Sequence, residues 1–198
     1  ELQRLVDDAY AKYKGLQEGE NANYIPILTK TPSDLFGVVI VTRDGKMYTA
    51  GDVDYKFSIQ SVSKPFTAAL VMKQQGVDSL DDKIGVEPTG LPFNSVMAVE
   101  LNVDRTMNPM VNAGAIAVTD LIAGDSVHDR IELMRSMYER YLGRRPEIDH
   151  DVWASERATG NRNRAIAYLM LSRGIVGDNV EETLDLYFAQ CSVLVTVA

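Results

Sequence analysis

The sequence predicts an α+β fold in which an antiparallel sheet is joined to a large helical portion. Apolar residues recur at helical spacing near the N-terminus, two short β-rich runs flank an Asp44-Gly45 turn, and the pattern beyond residue 60 is mostly helical. One incomplete domain is expected over 1–198. Its helix-and-sheet portion covers 1–60 and its mainly helical portion covers 61–198.

Leu2, Leu5, Val6, Ala9, Tyr10 and Tyr13 mark the one buried face of a helix over 2–14, with Gly15 as its stop. Leu35 to Thr42 is a strand, Asp44-Gly45 a hairpin turn, and Met47 to Ala50 the antiparallel return. Phe57-Ser58-Ile59 is a further short strand. Pro65 lacks an N–H and suits only a first helical turn, so a helix is expected from residues 61–62 to Gly76. Residues 111–123 are small and apolar and end at Gly124. Ser126 with Asp129 resembles a capping box, followed by a buried face of Ile131, Met134, Tyr138, Tyr141 and Leu142. Ile166, Leu169 and Met170 mark another helix, closed by Gly174. The last opens at Asp178 and Glu181 and buries Leu184, Tyr187, Phe188 and Cys191. The sheet is small, since three or more strands are usually needed. The run Ser192 to Ala198 stops without a cap or polar tail. It reads as a buried terminal element or, preferably, as a truncated chain whose further strands complete the sheet.

Composition narrows the function. A net charge of -8 disfavours nucleic acid and anionic lipid as partners. The single cysteine, Cys191, allows no internal disulfide and suits a reducing compartment such as the cytoplasm. No apolar run reaches the ~18 residues of a membrane span. His128 and His150 lie in charged stretches without metal-ligand spacing, so no metal and no cofactor is expected. Cys191 falls on a core face and reads as packing.

Ser61 and Lys64 are three apart at an expected helix start, which puts them on one face. A serine hydroxyl needs a base to become a nucleophile, and a partly buried lysine can be that base. The helix N-terminus supplies N–H groups for a developing oxyanion. Taken alone the pair reads rather as a serine cap beside a solvated lysine. Asn112 heads the small apolar helix, either as its N-cap or as an amide that both donates to and accepts from a polar ligand. Glu156 and Asn163 are seven apart across Gly160. They are either a solvated turn or a carboxylate and an amide suited to the two ends of an amino acid. Tyr24 lies in an irregular segment that can line a cleft, and Tyr187 lies on an apolar face.

Together these segments resemble the serine-dependent glutaminase family, which shares the Ser-x-x-Lys architecture of serine β-lactamases and penicillin-binding proteins. The resemblance rests on Asn23-Tyr24-Ile25-Pro26, Asp34-Leu35-Phe36-Gly37, Ile59 through Pro65, Val86 through Gly90 with Phe93-Asn94-Ser95, Asn108 through Ile116, Ser155-Glu156-Arg157, Arg162-Asn163, and Tyr187 through Ser192, in that order. It implies a β-lactamase-like fold and hydrolysis of L-glutamine to L-glutamate and ammonia. Ser61 is then the nucleophile and Lys64 its activator, with Tyr187 assisting proton transfer. Tyr24, Ser61, Asn112, Glu156, Asn163 and Tyr187 are the substrate-binding set, with Glu156 facing the α-ammonium. The Ser61 N–H is one oxyanion donor. The resemblance also implies a homo-oligomer, dimer or tetramer. Family members continue past Ser192 with more strands, a second catalytic tyrosine and the other oxyanion donor, so the 198 residues alone are expected to be inactive. Two other readings compete: a β-lactamase-like acyl hydrolase with a different substrate, and a non-catalytic amino-acid-binding module.

Overall fold

A computed structural model describes residues 1–101, 105–106 and 108–198. The chain forms two compact units, Glu1–Ser58 with Leu194–Ala198, and Ile59–Val193.

In the first unit, α1 (Leu2–Tyr13) packs on a hairpin of β1 (Gly37–Val41) and β2 (Met47–Gly51). The register pairs Gly37 with Gly51 and Val41 with Met47, so the turn falls where Asp44-Gly45 placed it. Tyr10 of α1 stacks on Phe36 at 5.7 Å between ring centroids. A 3₁₀ helix covers Pro26–Lys30. Strand β3 (Phe57–Ser58) pairs antiparallel with β4 (Leu194–Val195), making a second two-stranded ribbon. The apolar C-terminal run therefore contains a short strand.

The second unit is helical. A 3₁₀ turn, Gln60–Ser63, leads without a break into α2 (Lys64–Gln75). Two short helices follow, α3 (Asp78–Lys83) and α4 (Met97–Glu100). Then come α5 (Asn112–Asp120), α6 (Val127–Leu142), α7 (His150–Thr159), α8 (Asn161–Ser172) and α9 (Val180–Cys191). The caps follow the sequence chemistry. The Ser126 hydroxyl accepts from the Asp129 N–H at 3.1 Å and opens α6. Asp149 accepts from the N–H groups of Asp151 and Val152 and opens α7. Helix α9 lies at the centre, packed against α5, α6, α7, α8 and the 3₁₀ turn. Its Leu184, Leu186 and Phe188 are fully buried and meet a core that includes Ile116, Met134 and Ile166. Each such side chain contributes roughly 1.5–3 kcal/mol.

Four expectations are corrected. The α-helix expected from residues 61–62 starts at Lys64, because the preceding turn is 3₁₀; Pro65 still falls in its first turn. The helix expected over 111–123 is shorter. It closes at Asp120, where Leu121 and Ile122 make i→i−3 bonds and Arg130 caps the carbonyls of Thr119 and Asp120. Tyr141, expected on the buried face of α6, is 54% exposed, because that helix turns its last residues to solvent. Leu5 and Tyr13, expected on the buried face of α1, are also exposed, and only Val6 of that helix is fully buried.

Candidate active site

The 3₁₀ turn defines the geometry around Ser61. With three residues per turn, residues i and i+3 eclipse each other. Ser61 and Lys64 thus share one face more closely than α-helical spacing gives. The Lys64 N–H donates to the Ser61 carbonyl, closing that turn. Gln60, just before Ser61, has φ 50°, the sole positive φ of a non-glycine residue among the described residues. Such a conformation costs on the order of 1–3 kcal/mol and persists only when the surroundings impose it. Here Ile59 on one side donates its N–H to the Val193 carbonyl at 2.8 Å, and α2 continues on the other. Ser61 is exposed and Lys64 is buried.

The lysine is held by two acceptors. Its Nζ donates to Asn112 Oδ1 at 2.8 Å and to the Met110 carbonyl at 2.9 Å. The Phe93 ring centroid lies 5.6 Å from Nζ. No carboxylate is paired with it among the described ion pairs, and burial lowers its pKa from 10.5 to about 8.

Asn112 is the first residue of α5 and not its cap; Val111 takes the cap position. The Asn112 N–H donates to the Phe93 carbonyl at 2.7 Å, so its side chain is not needed for capping. It accepts from Lys64 through Oδ1 and donates through Nδ2 to Asn163 Oδ1 at 3.0 Å. Lys64, Asn112 and Asn163 thus form one hydrogen-bonded row across α2, α5 and α8. Gly114 permits the approach of the loop before α5. A Cβ there would stand 1.8 Å from the Asn108 carbonyl oxygen.

Glu156 lies on α7 and Asn163 on α8, and Gly160 separates the two helices. A Cβ at Gly160 would meet Phe188 at 2.6 Å and the Glu156 carbonyl at 2.9 Å. Glu156 is only 6% exposed, and its Oε2 has no hydrogen-bond partner among the described residues. Burial raises its pKa from 4.5 to about 8. A buried carboxylate oxygen without a donor is costly, and a bound cation would remove the cost.

Tyr187 lies on α9 and is buried against Phe188, with ring centroids 6.0 Å apart. Tyr24 belongs to the first unit and is 64% exposed. Cys191 is fully buried, which pushes its thiol pKa well up and suits a packing group. His128 and His150 are both exposed. Among the described residues no group of three or more His, Cys, Asp or Glu is placed to hold a metal ion, and no helix is long and apolar enough to cross a membrane.

Sequence reasoning did not pick out the Met110 carbonyl or the Phe93 ring beside Lys64. A backbone acceptor has no side-chain signature. Gly114 did carry a signal: an isolated glycine inside an apolar helix marks a close backbone approach.

The sequence and the fold have counterparts among known proteins. The glutaminase family model matches residues 19–198. The chain belongs to the glutaminase family. It is 48% identical to a glutaminase of Nostoc sp., an alignment that covers 98% of this chain and 58% of that protein. A glutaminase of Colwellia psychrerythraea is 47% identical, with coverage of 98% and 63%. The solved structure of the probable glutaminase ybaS superposes with a TM-score of 0.94 at 44% identity, covering 98% of this chain and 63% of that one. The structure of Mglu in its L-glutamate binding form gives 0.91 at 35% identity, covering 98% and 44%. The fold is accordingly the β-lactamase-like α+β arrangement of glutaminases. This chain spans 58% of the length of the Nostoc glutaminase.

Proposed function

We propose that this glutaminase-family chain carries the nucleophile and much of the substrate site for hydrolysis of L-glutamine to L-glutamate and ammonia. The observation that carries the reading is the pair of acceptors on Lys64. A neutral amine has two N–H bonds and one lone pair. The Met110 carbonyl and Asn112 Oδ1 take the two hydrogens, and the lone pair is left for the Ser61 proton.

Lys64 removes the proton from Ser61 Oγ as that oxygen attacks the side-chain carbonyl carbon of glutamine. The tetrahedral oxyanion is met by the Ser61 N–H, which lies in the first helical turn, where N–H groups lack intrahelical acceptors. The C–N bond breaks and Tyr187 assists transfer of a proton to the departing ammonia. Water, activated by the same base, then cleaves the glutamyl ester and restores Ser61. Glu156 ionises against the substrate α-ammonium. Asn112 and Asn163 offer amide donors and acceptors to the polar ends of the amino acid, and Tyr24 is a further substrate-binding residue in this reading. The structure of a relative in an L-glutamate binding form supports an amino-acid ligand of this type.

The reading extends to the assembly. Residues 1–198 belong to one glutaminase domain, supported by a family match that runs through both compact units. The protein works in the cytoplasm as a homo-oligomer, without nucleic acid or membrane partners. Its charge of -8 and its single, buried cysteine support that setting. Size-exclusion chromatography with light scattering on the protein from the complete reading frame tests the assembly.

The decisive experiment for the reaction traps the acyl-enzyme. Wild type mixed with a glutamine analogue bearing an electrophile at the side-chain carbonyl gains mass on the peptide containing Ser61. Modification elsewhere, with Ser61 free, refutes the assignment of the nucleophile.

A further inference from the structure

Beneath the Ser61–Lys64 turn lies a buried polar cluster that the reaction proposed above does not use. Tyr138 of α6 donates from Oη to the Ser63 carbonyl at 3.0 Å, at the junction of the 3₁₀ turn and α2. The same oxygen stands 2.7 Å from Thr67 Oγ1 of α2. The Thr67 hydroxyl donates to Gln190 Oε1 of α9 at 2.9 Å, and Thr119 of α5 approaches that oxygen at 3.3 Å. Burial pushes the Tyr138 hydroxyl pKa up, so it stays protonated and remains a donor.

Thr67, Thr119 and Gln190 are at most 1% exposed, and Tyr138 is 2% exposed. Gln190 Nε2 has no hydrogen-bond partner among the described residues. An apolar core of the same volume avoids the desolvation of three hydroxyls and an amide, so stability alone does not favour this cluster. What the cluster does is join the elements that carry the site. It links α2, which starts with Lys64, α5, which starts with Asn112, and α9, which bears Tyr187 three residues before Gln190. It also holds the carbonyl two residues after Ser61, in a turn whose entry residue is strained.

We propose that Thr67, Tyr138 and Gln190 are positioning residues that fix the Ser61–Lys64 turn relative to Asn112 and Tyr187 through the Ser63 carbonyl. This rests on the reading of Ser61 and Lys64 as the reacting pair. The cluster touches no substrate, so its effect falls on kcat and spares KM.

The test uses the protein from the complete reading frame and compares Thr67→Val with Thr67→Ser. Valine keeps the shape and loses the hydroxyl; serine keeps the hydroxyl and loses a methyl. Glutamine turnover by Thr67→Val is expected to fall roughly tenfold or more in kcat with KM within about twofold, since small misplacements of reacting groups carry large rate costs. Thr67→Ser is expected to stay within about threefold of wild type. A role in packing alone predicts wild-type kcat per folded molecule in both, with changes only in Tm, and that result overturns the proposal. Where Thr67→Val does not fold, Tyr138→Phe is read in its place against the same limits. If wild type does not hydrolyse glutamine, the proposed function fails separately, and the rate of Ser61 labelling by a fluorophosphonate becomes the readout. Slower labelling of the valine variant alone supports positioning. Equal rates in all three proteins, no labelling included, overturn it.

Discussion

At the scale of single residues, the proposed reaction depends on two groups whose pKa values burial moves away from their ordinary range. Lys64, lowered to about 8, must be neutral to take the Ser61 proton; Glu156, raised to about 8, must be ionised to hold an ammonium. Both must lose a proton, so kcat/KM is expected to rise with pH up to about 8, with a logarithmic slope that steepens toward about 2 in acid. Glu156→Gln removes one of the two protons, and its profile should rise with a slope near 1. A slope unchanged from wild type would contradict the assignment of Glu156. Loss of the charged contact should also raise KM roughly tenfold or more. The same substitution acts on stability in the other direction. Between 4.5 and about 8 the folded state holds a proton on Glu156 that the unfolded state has released. Stability from this group is therefore lost as pH rises through that window. Glu156→Gln should be at least as stable as wild type at pH 8, and this gain should vanish at pH 4, as read by thermal unfolding at the two pH values. Ser61→Ala should lower kcat by roughly three orders of magnitude or more, measured as ammonia release. These residues were legible in the sequence as types at fixed spacing. Their state was not, because the burial of Glu156 and the two acceptors on Lys64 arise from helices distant in the chain.

At the scale of elements, the placement of Asn112 depends on how α5 begins. The Asn108 carbonyl passes so near Gly114 that a single methyl cannot fit without moving backbone. Gly114→Ala should destabilise the protein by about 1–3 kcal/mol and raise KM, because Asn112 lies only two residues away on the same helix. Calorimetry and steady-state kinetics check the two effects. An unchanged KM in a folded variant would mean that the loop yields and α5 does not. Helices with a strong apolar face or a clear cap were readable from sequence: α1, α6 with Ser126 and Gly143 at its ends, α8 and α9. The hairpin was readable from Asp44-Gly45. Short α3 and α4 gave no periodic pattern, being six and four residues long. The polar stretch around Glu156 resembled a turn, yet it is α7, since Asp149 caps it and Val152 and Glu156 bury one face. The 3₁₀ character of the Ser61 turn was not legible, because Pro65 sets only which residues can begin a helix and not the pitch of the turn before it.

At the scale of the whole molecule, the helical unit contains Ser61, Lys64, Asn112, Glu156, Asn163 and Tyr187, while Tyr24 belongs to the unit that holds the sheet strands. Membership of the glutaminase family and the α+β fold agree with the reading of the sequence. Attack of Ser61, activated by Lys64, on the side-chain amide of L-glutamine is the step that the proposed function requires. Ammonia release from L-glutamine at pH 8 by the protein from the complete reading frame, beside its Ser61→Ala variant, tests it most directly. Steady release by the wild type and none above background by the variant is the expected result. Equal release by both, or a folded wild type that leaves glutamine untouched, would contradict it.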